Sequence, residues 1–367
     1  MANFEGYQML TQQQSRSISS LKVIFCFLII LLHAHFQMPS PDTVSDGGGI
    51  VYNLQKFFRE YLSTFVCGIA IPGFAVISGY LFFATENFSA AVYKRKIHSR
   101  LFTLLIPFIV WNLIVFAGDA ILAFNGKNNL VSETEWNFLN VLNIFWSVKE
   151  NGTGTCPYNG PLWYIRDLFI LCLLTPIIYP LLKRRFLKYI FAFILFSALF
   201  VKIPYVYYHE RIFTVYFCLG AFFAVNPIKF FSCNSFVNKI LLTGGVIANM
   251  LYLTNYFGFT GVNENLLDQI YVLCALAILP IIGVKYLQNE KIVAIAPSTF
   301  FIYCMHNSFL AMLAPLVRGQ SSVVYLAYYL LIPVLDFATG YVLYLIVKKI
   351  DNPIMNLLLL GKRSVKK

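Results

Sequence analysis

Polar clusters along this chain are separated by apolar runs of about 20 residues, the length a helix needs to cross a hydrocarbon core. Ten such runs are readable, at about 21–37, 61–84, 99–122, 162–182, 186–202, 211–227, 237–256, 266–287, 292–315 and 323–348. The short alternating pattern of an outer-membrane barrel is absent, so the runs predict helices. About 20 polar residues precede the first run, and no small-residue cleavage site follows it at Phe36-Gln37-Met38. The first helix is therefore expected to stay in the membrane rather than leave as a signal peptide. The pattern predicts an all-α, polytopic integral membrane protein: a tail at 1–20, one membrane domain at 21–350 and a basic tail at 351–367.

Composition agrees. Of the 367 residues, 59% are hydrophobic and 12% charged, about half the charged share of a soluble domain. The net charge of +12 is the signature of cytoplasmic loops rich in lysine and arginine. No basic run is interleaved with aromatics in a soluble segment, so nucleic acid is not an expected partner. With the N-terminus placed inside, 20 of the 28 basic residues fall in inner segments, including Lys94, Arg95, Lys96 and Arg100, then Lys183, Arg184, Arg185 and Lys188, then Lys348 and Lys349. Glu135, Glu150, Glu264 and Asp268 fall outside. This alternation predicts ten helices with both termini in the cytoplasm. The longest connection, about 123–161, is then external and contains Asn151-Gly152-Thr153-Gly154. Its Trp136, Phe138, Leu139 and Phe145 suit a helix lying on the membrane surface. Most cysteines sit inside apolar runs and none forms a CxxC pair, so neither a metal site nor a disulfide is expected.

The sharpest candidate is His33, an imidazole deep in the first helix, where ionisable side chains are rare and usually functional. Lys22 stands 11 residues earlier, near the cytoplasmic end. Eleven steps of 100° bring the chain roughly 20° past three turns, so the two side chains share a face about 16 Å apart. Such a pair suits an anionic donor held at the membrane surface with its reactive end at the imidazole. The alternative is a histidine bonded across the bundle and a lysine that only sets topology. His35, about 200° round from His33, and His98 and His209 near loops are read as interfacial. His306 lies mid-membrane in the ninth helix and raises the prospect of a polar cavity. Asp336 is a buried carboxylate without an assigned partner. Arg166 and Asp167 are adjacent, so their side chains are expected to diverge and seek other partners. With Trp163 and Tyr164 beside them they suit sugar binding, although aromatics at this depth also form membrane belts. Arg95 and Arg100 suit phosphate recognition, and Ser78-Gly79-Tyr80 is a small polar break where helices or a ligand approach closely.

Taken together these pieces resemble the membrane-bound acyltransferase 3 family. The resemblance rests on Ser20-Leu21-Lys22 running to His33, on Val76-Ile77-Ser78-Gly79-Tyr80-Leu81, and on Lys94 to Arg100 leading into Pro107-Phe108-Ile109-Val110-Trp111. Leu162-Trp163-Tyr164 and Ile302-Tyr303-Cys304-Met305-His306 complete it, and the pieces cover about 16–348. The resemblance implies transfer of an acetyl or succinyl group from cytoplasmic acyl-CoA to a hydroxyl of a cell-envelope glycan, in a bacterial inner membrane. It implies His33 and Lys22 as the catalytic pair, with Lys22 where the family more often has arginine and with Ser19-Ser20 where it often has aspartate. Donor contacts then fall to Lys22, Arg95, Arg100 and Ser78, and acceptor contacts to Trp163, Arg166, Asp167 and His306. Acetyl-CoA is a substrate in this reading, with no tightly bound cofactor and no metal; the acceptor is a glycan or lipid-linked saccharide, and membrane lipids surround the chain. The oligomeric state is not legible. Rival readings are a transporter or flippase for a lipid-linked glycan, which would favour internal repeats, and a polymerase built on the long external loop.

Overall fold

The computed structural model describes residues 10–37, 49–84, 87–126, 130–133, 135, 137–147, 149–150, 155–201, 203, 206–226, 230–232 and 234–362. Trp136, Asn151 to Gly154 and Cys233 lie outside the described residues. The helices in chain order are α1 (Gln12–Gln37), α2 (Ile50–Glu60), α3 (Ala70–Phe83), α4 (Ala90–Arg100), α5 (Ile106–Phe124), the short α6 (Leu130–Glu133) and α7 (Phe138–Asn143). They continue as α8 (Trp163–Lys183), α9 (Leu187–Phe200), α10 (Tyr208–Val225), α11 (Ser235–Tyr256) and α12 (Glu264–Tyr286). The last four are α13 (Glu290–Ile295), α14 (Thr299–Leu313), α15 (Ser322–Ile350) and α16 (Pro353–Leu360). A two-residue antiparallel pair, Lys149–Glu150 with Thr155–Cys156, is the only sheet among the described residues.

Each of the ten apolar runs coincides with a helix. Among the described residues, eight helical rods are long and apolar enough to cross a membrane, four of them formed by joining elements end to end: Ile50–Phe83, Ala90–Phe124, Gly160–Lys183 and Glu290–Val317. The fifth run gives the shorter α9 of 14 residues, about 21 Å at 1.5 Å per residue. The all-α, multi-pass reading stands.

The chain divides into two compact units. The first comprises Met1–Ile29, Tyr61–Tyr93 and Leu174–Ala296. Its closest packing is between α3 and α10, where Gly79 and Gly220 meet the opposite backbones directly: a Cβ on Gly79 would stand 1.9 Å from the Phe217 carbonyl oxygen, and one on Gly220 2.0 Å from that of Val76. Small residues that let backbones touch are what holds helices together in lipid, where apolar side chains gain nothing from leaving water. The polar break at Ser78-Gly79-Tyr80 is thus a helix crossing. Elsewhere in this unit Phe65 stacks on Tyr252 and Tyr271 at 4.3 and 4.4 Å, Asn249 donates to the Tyr61 hydroxyl at 2.7 Å, and Tyr216 donates to Gln269 at 3.0 Å. The N-terminal end of α1 is tied down by Ser17 donating to the Pro280 carbonyl, Ser20 to the Leu287 carbonyl, and Arg16 to Glu290 at 2.9 Å.

The second unit comprises Ile30–Glu60, Lys94–Leu173 and Pro297–Lys367. Residues 351–367 read as a tail, yet α16 packs on α5: the Trp111 indole donates to the Leu359 carbonyl at 3.2 Å. Gly361, at φ +62°, turns the chain so closely past Thr103 that a Cβ would come within 2.5 Å of its carbonyl oxygen. The cause is the apolar stretch Leu357-Leu358-Leu359-Leu360, capped at its start by Asn352, whose side chain accepts from the Ile354 and Met355 amides.

Candidate active site

The second unit holds the polar constellation with most chemistry in it. Near its C-terminal end α1 carries His33, half-buried, and mid-way along α14 stands His306, fully buried. The two imidazoles meet edge to face, with ring centroids 4.8 Å apart and planes at 77°. His306 Nδ1 lies 2.6 Å from the Tyr303 carbonyl oxygen. A carbonyl only accepts, so Nδ1 carries the hydrogen and Nε2 of the neutral ring is left as a lone-pair site. Nε2 has no hydrogen-bond partner among the described residues, although it is enclosed in a helix bundle where such a group costs free energy. His306, expected among the acceptor contacts, is therefore a direct neighbour of His33.

Two amides border this pair. Gln37, one turn beyond His33 on α1, donates through Nε2 to Oδ1 of Asn307, the residue after His306, at 2.7 Å.

The end of the long connection closes against the same helix. Asn159 is buried (2% exposed); its Nδ2 donates to the Cys304 carbonyl at 2.9 Å, and its backbone N–H donates to Asn112 Oδ1 at 2.9 Å. The Asn112 amide in turn donates to the Phe108 carbonyl at 2.8 Å. The Tyr303 hydroxyl donates to the Pro161 carbonyl, and the Tyr158 hydroxyl to Asp119 at 2.9 Å. Residues 157–159 thus run as non-helical backbone beside α5 and α14, before a single 3-10 turn at Gly160–Leu162 leads into α8. Such backbone is tolerated at membrane depth only where protein groups satisfy it, as Asn112 does for the Asn159 N–H and the Ile144 carbonyl for the Tyr158 N–H. Sequence reading missed Asn112, Asn159, Gln37 and Asn307. The available signal was amides in or beside apolar runs, next to the two histidines.

Arg166 and Asp167 are corrected in one respect. Adjacency was expected to drive them apart, but Arg166 Nε donates to Asp167 Oδ1 at 2.7 Å, both residues being buried. The arginine stem is long enough to fold back along the helix, and two charges in an apolar surround gain most by pairing. Arg166 also donates to the Trp146 carbonyl at 2.5 Å and lies 5.0 Å from the centre of the Trp146 ring. An apolar cavity of about 290 Å³ opens here, lined by Phe108, Phe145, Trp146, Ile165, Arg166 and Phe169 among others. Trp163 and Tyr164 are buried, at 7% and 9% exposure, and Tyr164 packs edge-on against Tyr303 at 6.0 Å.

Of the expected donor contacts, Lys22 and Ser78 are half-buried in the first unit, while Arg95 and Arg100 lie on α4 in the second. On α4, Arg95 is exposed. Arg100 shares a face with Lys96, four residues earlier, and both interact electrostatically with Cys172 on α8. Asp336 is fully buried on α15, and neither carboxylate oxygen has a hydrogen-bond partner among the described residues. Those residues contain no group of three His, Cys, Asp or Glu side chains able to hold a metal ion.

Comparison with known proteins adds a family and a relative. The family described as "Acyltransferase domain" matches residues 15–347. The succinoglycan biosynthesis protein ExoH of Rhizobium meliloti (strain 1021) is 23% identical over 177 residues, which cover 46% of this chain and 44% of that protein. The aligned stretch thus spans less than half of the relative's length. No solved structure matches.

Proposed function

The chain belongs to the acyltransferase family that its residues 15–347 match, and on that premise we propose that it moves an acetyl or succinyl group from cytoplasmic acyl-CoA to a hydroxyl of an envelope glycan. The observation that carries this reading is the imidazole pair: a half-buried His33 in contact with a buried His306 whose Nδ1 is held by the Tyr303 carbonyl. His33 is the general base. It takes the proton of the attacking sugar hydroxyl as the hydroxyl oxygen bonds to the thioester carbonyl carbon. The carbon–sulfur bond then breaks, and the proton passes to the departing CoA thiolate. Such proton transfer by a positioned side chain contributes about 10²–10⁴-fold to a rate. His306, packed on the ring of His33, holds its orientation and offers a second lone pair in the same enclosure.

Lys22 receives donor phosphates in this reading. The charge alternation of the loops supports a cytoplasmic N-terminus and therefore donor entry from that side. The connection that ends at Trp163 then faces outward, and the glycan approaches from there. The relative's role in succinoglycan biosynthesis supports a polysaccharide acceptor, and a bacterial inner membrane is the compartment where CoA and such an acceptor meet. The test is acyl ester content of envelope glycan in cells producing His33→Ala. Loss of esters at normal protein level is expected; wild-type ester content would sink the proposal. A flippase would leave acetyl-CoA and succinyl-CoA untouched by the purified chain, whereas a transferase releases CoA.

A further inference from the structure

Resting on the acyl-transfer reading, we propose that Gln37 and Asn307 are the acceptor-reading residues, holding the sugar hydroxyls that flank the one acylated beside His33. The two side chains come from different helices and are joined by a single hydrogen bond of 2.7 Å, Gln37 Nε2 to Asn307 Oδ1. That bond uses one donor and one acceptor. Gln37 Oε1 and Asn307 Nδ2 take no part in a hydrogen bond among the described residues, and both side chains are only half-buried. An acceptor and a donor are thus presented side by side, the complement of neighbouring hydroxyls, each of which can donate and accept.

Their place is equally specific. Gln37 stands one turn beyond His33 and about 40° round the helix, so it lies on the same face. Asn307 follows His306 directly, and His33 and His306 are in contact. The amide pair therefore borders the histidines toward the C-terminal ends of α1 and α14, the outer side in this reading. Arg166 and Asp167, by contrast, are buried and bonded to each other, which leaves the amides better suited to neutral sugar hydroxyls. Two amides without a charged group select a hydroxyl-bearing saccharide over an anion.

The experiment uses the purified full chain, with acetyl-CoA and succinyl-CoA as donors. The acceptor probe is envelope glycan from the source cells, stripped of esters by mild base. The apparent KM for that glycan is expected to rise roughly three- to tenfold in Gln37→Ala and again in Asn307→Ala, the range of one net hydrogen bond each. The KM for acyl-CoA is expected to stay within about twofold of wild type. Asn307→Ala carries the test alone if Gln37→Ala is not monodisperse on size exclusion. A glycan KM unchanged in the folded variants, or a rise in the acyl-CoA KM of equal size, overturns the assignment while leaving acyl transfer intact. A wild-type chain that releases no CoA in the presence of the glycan overturns acyl transfer itself, and this inference with it.

Discussion

Alanine at Gly79 adds one methyl group at the point where α3 and α10 touch. An ideal Cβ there lies 1.9 Å from the Phe217 carbonyl oxygen and 2.8 Å from its carbon, whereas real Cβ contacts essentially never fall below 3.0 Å. The helices must separate by about 1.1 Å, and because the obstacle is backbone, no side-chain rotation relieves it. The separation also opens the surrounding contacts of Ala75, Val76, Phe213, Phe217 and Ala221, all buried; a gap of 0.5–1 Å forfeits a quarter to a half of each dispersion well. Overpacking commonly costs 1–3 kcal/mol, and a backbone clash belongs at the upper end, so we expect about 3 kcal/mol. At roughly 2–4 °C per kcal/mol for a chain of this order, the melting temperature should fall by about 6–12 °C. Fluorescence-detected size exclusion after heating in detergent measures it. Gly118→Ala is the control: a Cβ there meets nothing within 4 Å, and the change should be neutral or slightly stabilising. A Gly79→Ala melting temperature within about 2 °C of wild type would refute the backbone-contact argument.

Asn112→Leu leaves the Asn159 N–H buried without its acceptor, which should cost about 1–3 kcal/mol; Asn112→Asp keeps that acceptor and should melt higher than Asn112→Leu in the same assay. For the buried ion pair, Arg166→Gln or Asp167→Asn alone should each cost about 3–5 kcal/mol, the double change costing less than their sum. A double-mutant cycle on melting temperature measures the coupling, and strict additivity would contradict the pairing. Trp111→Phe removes the donor to the Leu359 carbonyl and should expose α16, so limited proteolysis should clip the C-terminus faster than in wild type.

What was legible in the sequence follows from what a single helix encodes. Apolar runs set the ten helices, because each must cover its backbone with apolar side chains over one membrane thickness. The face shared by Lys22 and His33 follows from the 100° step. Ser78-Gly79-Tyr80 was readable as a close approach because only a missing Cβ permits one. Pairing between helices was not readable: His33 and His306 come from opposite ends of the chain, and no periodicity within α1 or α14 says which faces which. The packing of residues 157–162 against α5 and α14 was hidden for a related reason. Its amides are satisfied by Asn112 and by the Cys304 carbonyl, partners distant in sequence. Arg166 with Asp167 failed differently, since the 100° rule describes Cβ directions and not the reach of a guanidinium. In α16 the basic residues around the Leu357–Leu360 stretch masked a short helix packed on α5 as a tail.

The central claim is that His33, with His306 against it, removes the proton from the attacking hydroxyl. It is tested most directly by CoA release from acetyl-CoA and succinyl-CoA by the purified chain supplied with ester-stripped envelope glycan. Wild type should release CoA together with formation of glycan ester. His33→Ala should lower the rate by about 10²-fold or more while eluting as the same monodisperse species. A His33→Ala chain that transfers at the wild-type rate would contradict the account.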